Sequence, residues 1–134
     1  MMMVCTLITI LMLITPLLPL VVASRNGSYA NDCHYAESML DYPSPALFVY
    51  TLPNTVTGEI AIRNKWAGET SAFVLEGFDG EQLVELLRQA FQDAGTQSAM
   101  LAWIDCPSDT EWTAAAWLLD REEALEEPLK LKLL

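Results

Sequence analysis

The sequence is poor in positive charge. Seven Lys and Arg stand against 18 Asp and Glu in 134 residues, a net charge of −11. Nucleic-acid binding needs a Lys/Arg patch to displace phosphate counterions, and none is present, so that class of partner is excluded. The same imbalance repels an equally acidic protein surface unless the few cations cluster. Histidine is limited to His34, and the cysteines Cys5, Cys33 and Cys106 form no Cys-x-x-Cys pair. A Cys/His metal centre therefore has no ligand set, and the cysteines read as isolated reduced thiols. A Cys33–Cys106 disulfide is open only to an exported chain. No glycine-rich loop followed by Lys and Ser/Thr exists to cradle a phosphate, and no cofactor is implied. Internal repeats and low-complexity linkers are also missing.

Charge of either sign is absent before Arg25. The run MMMVCTLITILMLITPLLPLVVAS is long enough to span a bilayer, which takes roughly 20 apolar residues. Val21-Val22-Ala23 before Ser24 also resembles a signal-peptide cleavage site. Against export, no Lys or Arg precedes the apolar run, whereas signal peptides carry a positive n-region. Pro16 and Pro19 divide the run, and its second piece, Leu20–Ser24, reads as a short buried strand ending at the Asn26-Gly27 turn signal. Three readings stand: an adventitious N-terminus leading into a core strand, which we prefer; a membrane anchor, with membrane contact through residues 3–23; and a cleaved signal. The first goes with a cytoplasmic chain, the others with a small membrane-anchored or secreted protein.

Beyond that run, Asn31 is placed to cap a helix over Asp32–Leu40, which Tyr42-Pro43-Ser44-Pro45 terminates. ALFVYTLP reads as extended. Asn54 opens a helix, NTVTGEIAIRNKW, in which Gly58 costs about 1 kcal/mol relative to Ala and is expected to permit close packing. A strand follows near Thr70–Leu75. The helix Glu81–Ala94 then places Leu83, Leu86, Leu87, Ala90, Phe91 and Ala94 on one face, with Gly95 as its stop. SAMLAWID and TAAAWLLD read as strands joined by the turn-rich CPSDTEW. Strand, helix, strand, helix, strand is an α/β pattern. The expected organisation is an apolar segment over 1–17, one domain over 18–120, and a charged then apolar tail over 121–134, marginal in order. The acidic run Glu122–Glu127 reads as a solvated helix face.

SAFVLEGFDGEQLVELL is a strand, a glycine-marked turn and a helix, the arrangement by which several enzyme families present a nucleophile. The turn holds Gly77, Phe78, Asp79 and Gly80, with no Ser or Cys among them. Over SPALFVYTLPNTVTGEIAIRNKWAGETSAFVLEGFDGEQLVELLRQAF the chain resembles the N-terminal half of β-ketoacyl-acyl-carrier-protein synthases. That family has the thiolase-like fold and the pattern S-P…N-x-x-x-G-x-x-A-I…G-P, then an apolar strand, then A-C-x-S-G. Ser44-Pro45, Asn54, Gly58, Ala61-Ile62, Gly68 and Gly80 fall into that frame. The resemblance covers roughly residues 18–120, and is nearest to the small ketosynthase-like and chain-length-factor-like proteins of aryl-polyene and flexirubin-type pathways.

The resemblance implies a mixed sheet packed by helices, half of a thiolase-like fold, truncated. The family's nucleophilic Cys lies nine positions after the loop Gly and three before the elbow Gly. From Gly68 forward and from Gly80 back, both counts land on Gly77, so the nucleophile position carries no side chain. The family's two catalytic histidines belong to a C-terminal half that this sequence does not extend into, and His34 lies upstream of the elbow. The implied protein is not an enzyme: it is a non-catalytic ketosynthase partner or a remnant of one. Its partners would be a ketosynthase subunit, as hetero- or homodimer, and acyl carrier protein, with the helix Asn54–Trp66 and the strand Thr70–Leu75 as the pairing surface. Glu76 and Asp79 flank the elbow, and carboxylates at a helix N-terminus are usually capping groups. Trp66, Trp103, Trp112 and Trp117 read as core and rim aromatics rather than as an acyl tunnel.

Overall fold

The structure is a computed structural model that describes residues 17–126 and Leu131. Four strands form a single sheet in the order β2-β1-β3-β4, with β1 spanning Leu20–Ser24, β2 Thr70–Val74, β3 Ser98–Asp105 and β4 Thr113–Asp120. β1 lies between two parallel neighbours, with Leu20 opposite Thr70 on one side and Met100 on the other. β4 closes the sheet antiparallel to β3, with Ser98 opposite Asp120.

Every residue of β1 is buried. A strand flanked on both sides and covered on both faces reads as an uninterrupted apolar run, and LVVA is such a run. Leu20–Ala23 therefore sit in the middle of the sheet, and cleavage after Ala23 would remove its central strand. Among the described residues no helix is long and apolar enough to cross a membrane. The remainder of the apolar N-terminal segment, residues 1–16, lies outside the described residues.

Alternation along the strands sorts two cores. Val21, Ala23, Ala99, Leu101 and Trp103 face Leu83, Leu87 and Phe91, while Leu20, Val22, Met100 and Ala102 face Val56, Ile60, Ala61 and Trp66. The first layer belongs to α4 (Gly80–Gln89), the second to α3 (Thr55–Asn64). Two further helices, α1 (Tyr29–Ser38) and α2 (Pro45–Val49), bury no residue. The Tyr35 and Phe48 rings, 5.4 Å apart, hold them together.

Several elements differ from the sequence reading. α1 starts at Tyr29, because the Asn26-Gly27 turn, with Gly27 at φ +55°, leads straight into the helix. Asn31 thus lies inside it, and Ser28 holds the N-cap position. The stretch expected to be extended contains α2: Ser44 Oγ accepts from the Leu47 N–H at 3.3 Å, and Pro45 begins the helix. A serine cap followed by a pre-set proline outweighs the apolar run here. α3 stops at Asn64. Lys65 turns left-handed, and the Trp66 N–H reaches back to the Ala61 carbonyl at 2.9 Å. This is a Schellman closure in which Trp66 packs on Ala61.

α4 gives way to a 3₁₀ turn over Ala90–Gln92, short of Gly95. The freed carbonyls of Phe91, Asp93 and Thr96 accept from the Arg121 guanidinium at 3.0–3.1 Å. The charged tail begins with α5 (Arg121–Leu125), whose Ala124 is fully buried and whose Glu123 accepts from the Asp120 N–H at 3.1 Å. Of the tail beyond Glu126, only Leu131 is among the described residues.

Candidate functional site

Two features occupy the C-terminal end of the parallel strands. The first is the turn between β2 and α4. The Leu75 N–H donates to the Ser24 carbonyl at 2.8 Å, extending β2 by one rung before the chain turns. Phe78 points inward, edge-on to Trp103 at 5.5 Å and 6.0 Å from Trp117. Asp79 caps α4, its Oδ1 accepting from the N–H groups of Glu81 at 3.0 Å and Gln82 at 3.2 Å. The positive end of the helix is thus neutralised internally. Glu76 is exposed.

Gly77 is half-buried, and a Cβ built on it meets nothing within 4 Å. The position has room for a side chain and carries none. Gly80 is the opposite case: a Cβ there would run into the carbonyl oxygen of Leu131, so the tail's backbone lies against the first turn of α4. Gly68 is likewise required, since a Cβ would enter the Leu18 carbonyl ahead of β1. Gly58 is not: nothing lies within 4 Å of its Cβ position, and the close packing expected there does not exist. Ser44 and Pro45 start α2, while Asn54 sits at the head of α3, its carbonyl accepting from Thr57 Oγ1 at 2.6 Å.

The turn over residues 75–80 holds no histidine. His34 is on α1, where its Nε2 lies 2.8 Å from Asp109 Oδ2 of the β3–β4 loop. Cys33 and Cys106 are free thiols; Cys106 Sγ points to the Ser108 carbonyl at 3.2 Å. Among the described residues no group of three His, Cys, Asp or Glu is placed to hold a metal ion. Trp66 and Trp103 are buried in the two cores, Trp117 packs on the first, and Trp112 is exposed.

The second feature is a cleft of about 290 Å³ beside the ends of β1 and β3, bounded by the start of α3 and the segment after α2. Val22, Val56, Ala72 and Ile104 form its wall, with Glu59 and Cys106 among its polar lining. Asp105, just past it, clamps the β1–α1 turn. Sequence reasoning missed both the cleft and the clamp. Their residues are scattered over the chain and meet only through the strand order, for which the sequence carries no local signal. None of the four tryptophans lines the cleft.

No protein-family model matches the chain, and no curated protein matches it. Among solved structures it is similar to a ketosynthase (ApeO) in complex with its chain length factor (ApeC) from Xenorhabdus doucetiae. The TM-score is 0.65 and the identity 19%, over 78% of this chain and 49% of that one. The chain spans about half the length of the chain it matches. It has a ketosynthase-like fold of the thiolase type, a mixed sheet packed by helices.

Proposed function

We propose that the chain is a non-catalytic ketosynthase-type subunit that pairs with a complete ketosynthase in fatty acid or polyketide biosynthesis of the aryl-polyene kind. The observation that carries this reading is Gly77: a position with open space for a side chain, at the turn where the family pattern places its Cys, holding only hydrogen. A ketosynthase needs a thiolate to take up the acyl group and two imidazoles to polarise the malonyl thioester. His34, the single histidine, is engaged with Asp109.

The pairing surface we assign is β2 with the neighbouring face of α3. Among the described residues β2 is an outer strand of the sheet, paired with β1 on one side, and its other edge is a template for another chain. Val74, in β2 itself, leaves 55% of its surface exposed, and Ile62 on α3 leaves 81%. Covering such apolar groups is a reason to assemble. The net charge of −11 disfavours direct docking of an acidic carrier protein. In this proposal acyl carrier protein therefore docks on the ketosynthase, in the cytoplasm.

The test is a condensation assay with a ketosynthase from the same source, run with and without this chain. The proposal expects no condensation from this chain alone and a changed rate or product length when both are present. Condensation by this chain alone would overturn the non-catalytic reading. An unchanged rate and product profile would overturn the partner reading and leave a remnant.

A further inference from the structure

The cleft at the end of β1 and β3 lies where the sheet changes direction: the chain leaves β1 toward β2 on one side and returns to β3 on the other. In open α/β sheets, crevices at the carboxyl ends of strands at such a point are where ligands bind. Its volume of about 290 Å³ sits at the lower end for small-molecule sites.

The chain's own chemistry turns anions away. The N–H groups of Arg25 and Asn26, which a phosphate would use at this turn, already donate to the Asp105 carboxylate at 3.0 and 2.8 Å. The Gly27 N–H donates to Ser24 Oγ at 3.1 Å. The first turn of α1 carries Asp32, and neither Lys nor Arg lines the cleft. Glu59 stands on the wall, its Oε1 accepting from the Tyr50 hydroxyl at 3.4 Å. Its carboxylate has further lone pairs for a donor. Val22, Ala72 and Ile104 add hydrocarbon to the lining, and of the polar groups there Ser24 Oγ is already taken by the Gly27 N–H.

We propose that this cleft binds a neutral, mainly hydrocarbon molecule carrying one hydroxyl, with the hydroxyl donating to Glu59 and the hydrocarbon against Val22, Ala72 and Ile104. At roughly 30 Å³ per non-hydrogen atom, the share of one water in the liquid, the cleft takes roughly ten such atoms. This site is separate from the turn at Gly77, and its occupancy does not depend on the pairing proposed above.

The probes are 1-hexanol, 1-heptanol, 1-octanol and octanoate, titrated calorimetrically into the full chain. Maleimide labelling of Cys106, the exposed thiol at the cleft, is read in parallel by peptide mass. 1-Octanol is expected to bind and to slow labelling, with affinity rising up to about fourfold for each added methylene. Octanoate is expected to bind at least tenfold more weakly, because its charge meets Glu59. Glu59→Gln should remove that discrimination while 1-octanol still binds, and Ala72→Phe should fill the cleft and abolish binding. Absence of 1-octanol binding, octanoate binding as tightly as 1-octanol, or affinity independent of chain length would each overturn the proposal. The alcohol series on the unmodified chain decides the matter even if Ala72→Phe does not fold.

Discussion

Asp105 and Asn26 are joined twice: Asp105 Oδ2 accepts from Asn26 Nδ2 and Oδ1 from the Asn26 N–H, both at 2.8 Å. The Arg25 N–H adds a third bond at 3.0 Å. One carboxylate at the end of β3 thus fixes the turn that follows β1 and fills an anion-binding nest with a group of the chain itself. Asp105→Ala leaves these donors without that acceptor. A loss of about 2 kcal/mol is expected, because charge-assisted bonds exceed neutral ones in worth. Urea unfolding of the two proteins measures it, and an unchanged midpoint would show the clamp to be incidental.

The glycines divide by what surrounds them. Gly68→Ala forces a Cβ into the Leu18 carbonyl and should cost about 2 kcal/mol or more. Gly58→Ala, in open space within α3, should instead stabilise by about 0.5–1 kcal/mol through helix propensity and a less free unfolded chain. Thermal melts of the two variants should therefore move in opposite directions.

Lys65 supplies a second backbone test. It is the one non-glycine residue among the described residues with positive φ, at 57°, and it ends α3. A left-handed residue with a Cβ costs about 1–2 kcal/mol, from which glycine is exempt. Part of that gain is offset by glycine's greater freedom when unfolded. Lys65→Gly is expected to raise stability by about 0.5–1 kcal/mol, read as a higher denaturation midpoint at unchanged slope.

Gly77→Cys addresses the turn directly. The backbone is outside the left-handed region and the Cβ meets nothing within 4 Å, so stability should stay within about 0.5 kcal/mol. The variant gains a thiol while the single histidine, His34, stays engaged with Asp109, and it should show no condensation when assayed alone. Turnover by this single variant would mean that a base lies within reach of the turn.

The strands were legible in the sequence where apolar runs were continuous. β1, β3 and β4 occupy LVVAS, SAMLAWID and TAAAWLLD as read: β1 and β3, inner strands covered on two faces, need no polar interruption, whereas β4 is an outer strand that leaves Ala114 and Ala116 exposed. Helix ends were less legible. α1 began before its expected cap and α4 tightened before Gly95, in the second case because Arg121, 30 positions from Phe91, satisfies the terminal carbonyls. Such a contact leaves no mark in a local window. The turn at Gly77 was legible through flanking residues, and Asp79 caps α4 as its place at the helix start implied. The cleft was not, because Val22, Ala72 and Ile104 come together only through the pairing of β1 with both β2 and β3.

The pairing surface can be tested by single substitutions that leave the fold alone. Val74→Lys places a charge at the exposed outer end of β2, a common natural device against edge pairing. Because Val74 is 55% exposed, the cost to the isolated chain should stay within about 1 kcal/mol. Co-purification with a ketosynthase should nevertheless fall sharply. Undiminished co-purification would move the interface elsewhere.

The most direct measurement is the native mass of this chain co-expressed with a complete ketosynthase from the same source. The account predicts a one-to-one complex that survives purification and is weakened by Val74→Lys. A chain that stays soluble at its own mass beside an uncomplexed ketosynthase would contradict it.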